Sequence, residues 1–141
     1  YVCDRDENVI LWNEAYTAMF PRLAPALGRG VTLEAVLRAG VASGAYDEEV
    51  GPHTPDEARE RWIAALLQRI RAAGENSPSR EIPLPGGRWA QARERRAPSG
   101  NLVCVRNDIT RLKHAEAEAR RRAEQDELTG LFNRQVFLQS L

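Results

Sequence analysis

The order of patterns along this 141-residue chain predicts an α+β fold: a five-stranded antiparallel sheet with helices on one face, followed by a C-terminal linker helix. Three observations carry that reading. Two short apolar runs flank a polar turn at the start, the middle of the chain has helical periodicity, and from Pro78 the period shifts to three extended runs separated by Gly/Pro turns.

The opening "YVCDRDENVILWN" reads as a β-hairpin, because the Asp and Asn of "DRDEN" tolerate turn conformations. Asn13 stands where a helix N-cap belongs, and Tyr16, Met19 and Phe20 follow at helical spacing until Pro21 ends the run. "TLEAVLRAGV" begins at a second cap, Thr32, and puts Leu33, Val36 and Leu37 on one face. In "TPDEARERWIAALLQRIRAAG", Thr54 and Glu57 form a capping-box pattern, Pro55 takes the first helical position and Gly74 the stop. Its stripe of Trp62, Ile63, Leu66, Leu67 and Ile70 requires a partner surface.

Three strands follow: "SREIPLP", "RWAQARERR" and "LVCVRNDI", joined by "PGG" and "PSGN" turns. Pro83 removes a ladder donor and assigns the first of them to a sheet edge. "LVCV", apolar on both faces, suits a central strand covered on both sides. A polar helix then runs from about Arg111 to Gln125. Leu112, Ala115, Ala119 and either Arg122 or Ala123 give it a thin seam, and Glu116–Arg120 and Glu118–Arg122 are correctly oriented pairs.

Composition excludes several functions. Twenty Lys+Arg balance twenty Asp+Glu, so no global field favours nucleic acid or anionic lipid, and "RRR" at 120–122 reads as a solvated face. The longest apolar run, "WIAALL", falls far short of the ~18 residues of a membrane span. Cytoplasmic localisation without membrane contact is the expectation. Cys3 and Cys104 form neither a disulfide framework nor a thiol redox motif, and with His53 and His114 they show no metal-ligand spacing. "DRDEN" lacks the glycine and the glutamate of a calcium loop. No cluster of nucleophile, base and orienter appears, so this stretch is expected to be non-enzymatic.

Strand, strand, helices, three strands is the topology of the PAS sensory fold, which residues 1–110 resemble. The marks are Asp4 and Trp12–Asn13 in the hairpin and Asp108–Ile109–Thr110 running into a helix; "LPGGRW" resembles the PAS-7 subgroup. The resemblance implies that the first strand lies between the second and the last, which would make Cys3 and Cys104 neighbours, either as small buried hydrophobes or as a redox pair. It also implies a signal relay at Asp108, Ile109 and Thr110, with Thr110 as cap of the next helix, and a signalling helix over 111–125. The implied partner is a second copy, through the PAS domain and the linker helix.

"DELTGLFNRQVF" resembles the opening motif of GGDEF domains, the bacterial diguanylate cyclases, through Asp126, Leu128, Thr129, Gly130, Leu131, Asn133, Arg134 and Phe137. Residues 126–141 are accordingly expected to begin such a domain, in a longer protein that makes cyclic di-GMP. Gly130 would allow a tight turn and Asn133 would start the next helix. None of that family's catalytic residues falls within this sequence.

No cofactor is evident. A haem ligand would have to be His53, which lies in the loop "VGPHTP", and the helical Asn-Cys-Arg motif of flavin-binding PAS domains is missing between Tyr16 and Gly74. An unknown small ligand is the remaining expectation, between the sheet and the helices Thr32–Ala42 and Thr54–Ala73, with Trp62, Leu66, Trp89, Gln91 and Arg93 as pocket residues. That requires the face of Trp89, Gln91, Arg93 and Arg95 to point inward. In the alternative register Ala90, Ala92, Glu94 and Arg96 do so.

Overall fold

The computed structural model describes residues 1–140, with side chains through Leu131. The chain divides into two units, Tyr1–Asp108 and the stretch from Ile109 onward.

The first unit contains strands β1 (Val2–Cys3) and β2 (Val9–Leu11), helices α1 (Glu14–Met19), α2 (Leu33–Ser43), α3 (Asp47–Val50) and α4 (Asp56–Arg71), and strands β3 (Arg80–Leu84), β4 (Arg88–Arg96) and β5 (Leu102–Asp108). The strands form one antiparallel sheet in the order β2-β1-β5-β4-β3. β1 thus lies between β2 and β5, β5 is central, and Pro83 sits on an edge strand, as its missing N–H requires.

Local chemistry explains the elements. Asp4 Oδ1 accepts from the amides of Asp6 and Asn8, both at 2.9 Å, and so folds the first turn. Asn13 caps α1 through the Tyr16 amide at 3.0 Å, and Thr32 caps α2 through Ala35 at 3.1 Å. Gly86 and Gly87, at φ +81° and +72°, make the tight β3–β4 turn, where two successive left-handed residues match the strand twist.

The core lies between the sheet and the helices. Cys3, Val9, Ile82, Leu84, Ala90, Ala92, Leu102 and Cys104 are buried on the sheet side; Leu33, Val36, Leu37, Ile63, Leu66, Leu67 and Ile70 are buried on the helix side. A bulge between β1 and β2 pairs Cys3 with Val9 and Val2 with Leu11, so Val9 enters the core while Leu11 stays outside. Gly40 permits close packing: a Cβ there would lie 2.3 Å from the Tyr46 ring and 2.9 Å from Leu23.

Four expectations need correction. Thr54 does not cap α4; its hydroxyl donates to the Val50 carbonyl at 2.5 Å, and Pro55 takes the N-cap position. The cause is α3, a one-turn helix the pattern does not reveal, whose C-terminal carbonyl competes for that hydroxyl. Likewise α4 ends at Ala72 in ordinary helical conformation, and the Gly74 amide instead donates to the Ser77 Oγ at 2.8 Å. β5 is covered on one face only, for Leu102 and Cys104 are buried while Val105 is 41% exposed.

The fourth concerns the second unit. Helix α5 runs from Thr110 to Ser140 without a break at 125 or a turn at Gly130. Among the described residues nothing lies within 4 Å of a Cβ position at Gly130, and the helix runs on through it. The Ile109 carbonyl accepts from Lys113 at 3.0 Å, which makes Ile109 the N-cap and Thr110 the first helical residue. Along α5, Glu118 bonds Arg122 at 3.3 Å as the spacing predicts and also bonds Arg121, while Glu116 pairs with Lys113 at 3.3 Å.

Candidate functional site

The interior face of the sheet carries a charged cluster built by register. β4 places Ala90, Ala92 and Glu94 on the core side; Ala92 is paired with Arg80 on β3 and with Arg106 on β5. The small Ala92 leaves both arginines room to lean one step along the strands toward Glu94. Arg80 Nη1 reaches Glu94 Oε2 at 2.8 Å, and Arg106 Nη2 reaches Oε1 at 2.7 Å. Arg106 Nη1 also donates to the Val105 carbonyl at 2.9 Å.

Two cations against one anion is an unusual content for a core. The Glu94 and Arg106 side chains are 5% and 8% exposed, and Arg80 is 22% exposed. Burial alone would push the Glu94 carboxyl up; the charges of Arg106 and Arg80 and their hydrogen bonds outweigh it and hold the group below its ordinary range. Burial works against the Arg106 charge, and the acidic groups around it, of which Glu94 is the one ionised at neutral pH, raise its pKa above the ordinary arginine value. The Arg80 Nε is buried without a hydrogen-bond partner. Glu49 of α3 is pushed up by burial, with Arg80 pulling the other way.

Aromatic hydroxyls and thiols surround the cluster. Tyr1 and Tyr16 meet edge to face at 5.0 Å, Tyr16 and Phe20 lie 4.9 Å apart, and Tyr46 packs on Trp62 at 5.2 Å. Burial raises the tyrosine pKa values, that of Tyr46 to about 12, and raises Cys104 and, to about 12, Cys3. These groups stay protonated at neutral pH. Cys3 and Cys104 are free and buried on the same face, as neighbourhood through β1 and β5 implied. Cys3 is opposite Leu102, however, and Cys104 bonds the Tyr1 backbone, so the two are diagonal at roughly 7–8 Å between Cα atoms, beyond disulfide reach.

The structure separates the expected pocket residues. Leu66 is buried in the core, and Trp62 is half-buried against Tyr46. Trp89, Gln91 and Arg93 lie on the opposite face of the sheet, and the Arg93 Nε donates to the Ser77 carbonyl at 3.0 Å. They do not line the space between sheet and helices, because the small alanines of β4 turn inward. The charged groups that do face the interior, Glu94, Arg80 and Arg106, had a signal in the sequence: Glu94 is in phase with Ala90 and Ala92, and Arg106 with Leu102 and Cys104.

At the expected relay, Asp108 ends β5 opposite Ala90, and the single residue Ile109 separates it from α5. Of the GGDEF-like motif, Asp126, Leu128, Thr129, Gly130 and Leu131 are all exposed on α5. The side chains of Asn133, Arg134 and Phe137 lie outside the described residues. Among the described residues, no group of three His, Cys, Asp or Glu is placed to hold a metal, and no helix is long and apolar enough to cross a membrane.

A family model described as the PAS fold matches residues 1–117, which spans the whole first unit and the first turns of α5. No curated protein and no solved structure matches the chain.

Proposed function

The chain belongs to the PAS fold family, and on that premise we propose that it is the sensor and dimerisation module of a diguanylate cyclase, non-enzymatic itself, that sets the alignment of two downstream cyclase domains in the cytoplasm. The observation that carries this reading is covalent. The central strand β5 ends at Asp108, and one residue later α5 begins and runs without a break through "DELTGLFNR". A displacement of β5 is therefore delivered to a single continuous helix, whose far end carries the motif that resembles the start of a GGDEF domain.

The mechanism is a population shift. A ligand or partner that binds one sheet geometry better than another moves the equilibrium by its differential affinity, and the shift is felt at Ile109. Two GTP-loaded cyclase domains have to face each other for product to form, so helix orientation controls rate.

A second reading, a ligand-free module that only fixes linker register, is favoured by the filled interior: Cys3, Val9, Ala90, Ala92, Leu102 and Cys104 are 0–3% exposed on the inner face. One experiment separates the two. In the parent protein, residues 1–109 are replaced by an unrelated parallel coiled coil, and conversion of GTP to cyclic di-GMP is followed. Sensing predicts loss of regulation with activity retained; the register-only reading predicts no change. A parent protein that makes no cyclic di-GMP in any state overturns both.

A further inference from the structure

A hollow lies outside the filled interior, where the end of α1, the turn after α2 and the β3–β4 hairpin meet. It encloses about 300 Å³. Phe20 and Ala45, each 4% exposed, form its base, and Met19, Pro21 and Pro85 add apolar surface around them. Two arginines complete the lining, Arg88 half-buried and Arg22 exposed. Among the described residues that line the hollow there is no acid.

Neutral groups hold both guanidinium heads in place. Arg88 donates through Nη1 to the Met19 carbonyl at 3.1 Å and through Nε to the Pro85 carbonyl at 3.2 Å, and Arg22 donates through Nη1 to the Gly44 carbonyl at 3.0 Å. Carbonyls orient a guanidinium and leave its charge uncompensated. A guanidinium has five N–H donors, of which these bonds take two from Arg88 and one from Arg22. Asp47 also approaches Gly44, yet neither it nor any other described carboxylate forms an ion pair with Arg22 or Arg88, in contrast to Arg38 and Arg71, which Glu34, Glu60 and Glu7 neutralise.

We propose that this hollow binds a small organic anion, a carboxylate on a compact aromatic body. Two uncompensated guanidinium groups at one hollow select a carboxylate head, which accepts charge-assisted bonds from both. The Phe20 ring with Met19 and the two prolines selects an apolar body. The volume holds about ten non-hydrogen atoms, at the ~30 Å³ that a water-sized group takes in a liquid. The position also matters. Arg88 opens β4, and two residues on, Ala90 pairs with Asp108 at the end of β5. An anion held by Arg88 thus bears on the strand segment paired with the start of the linker. That it enters there as the stimulus rests on the sensor reading; the binding itself does not.

Titration of the 141-residue chain with phenylacetate, followed by amide chemical shifts, tests this. The amides of Phe20, Arg22, Ala45 and Arg88 are expected to shift and to saturate at about 1–10 mM, the range for a ligand of this size, while those of Ala92, Glu94 and Cys104 on the inner sheet face stay in place. Phenylacetamide, which has the shape without the charge, and acetate, which has the head without the ring, are each expected to bind at least about tenfold more weakly. Arg22→Ala, at an exposed position, is expected to weaken phenylacetate about tenfold with the circular dichroism unchanged. Met19→Trp, which fills the hollow without touching its charge, is expected to abolish binding. No saturable shift, acetate or phenylacetamide binding as tightly as phenylacetate, shifts centred on the inner sheet face, or an Arg22→Ala chain that binds like wild type each overturns the proposal. No cyclase takes part in this assay, so a chain that fails to bind leaves the sensor reading to another stimulus, and a parent protein that makes no cyclic di-GMP leaves the binding site standing.

Discussion

Glu94→Gln removes the one carboxylate on which two buried arginines converge. The Arg106 side chain is 8% exposed and its Nη2 lies 2.7 Å from the carboxylate, so the amide leaves a guanidinium in the core, beside the Val105 carbonyl, without its counter-charge. Breaking such a pair from one side costs about 3–5 kcal/mol, because the remaining charge stays desolvated. For a unit of this size that lowers the melting temperature by more than about 10 °C. The effect has a pH signature. The folded Glu94 carboxyl lies below its ordinary value, so its contribution is fully present above the unfolded pKa of about 4.3 and is lost as pH falls through the folded value. Urea titrations of wild type and Glu94→Gln from neutral to acid pH should therefore show a gap that closes only in acid. Replacing the whole cluster by Glu94→Leu with Arg106→Met and Arg80→Met should recover most of the loss, since apolar substitutes avoid the desolvation altogether. A cost under about 1 kcal/mol at neutral pH, or a gap unchanged at the acid end, would refute the reasoning.

Three further outcomes are expected. Gly40→Ala drives a Cβ to 2.3 Å from the Tyr46 ring and should destabilise the first unit by about 1–3 kcal/mol in the same titration. Asn13→Ala removes the α1 cap at the Tyr16 amide and should cost about 1 kcal/mol, with Asn13→Asp close to neutral. Cys3 and Cys104, buried and held as thiols, should react with a thiol reagent only as fast as the protein unfolds; oligomeric state and stability should be the same with and without reductant.

What the sequence made legible follows from how local each determinant is. Caps at Asn13 and Thr32, the Pro83 edge assignment and the α4 stripe depend on one residue and its near neighbours, and all are found as expected. Thr54 was misplaced because its competitor, the Val50 carbonyl, belongs to a one-turn helix too short to leave a periodic trace. The interior charges were half visible, since strand alternation offers Glu94 with Ala90 and Ala92 as one of two possible inward faces. Glu94 and Arg106 look like surface residues singly, and only the β4–β5 register, which no single strand specifies, turns them toward each other. Arg93 and Gln91 fell to the outside by the same one-residue logic: once Ala90 and Ala92 face the core, their neighbours cannot.

The claim that β5 steers a downstream cyclase through α5 is tested most directly by changing helix phase. Inserting residues after Ala119 in the parent protein rotates everything beyond by about 100° per residue, and seven residues restore the seam. The rate of cyclic di-GMP formation should fall or become constitutive with insertions of two or five residues, which turn the helix by about 200° or 140°, and return with seven. A rate indifferent to insertion length would contradict the account.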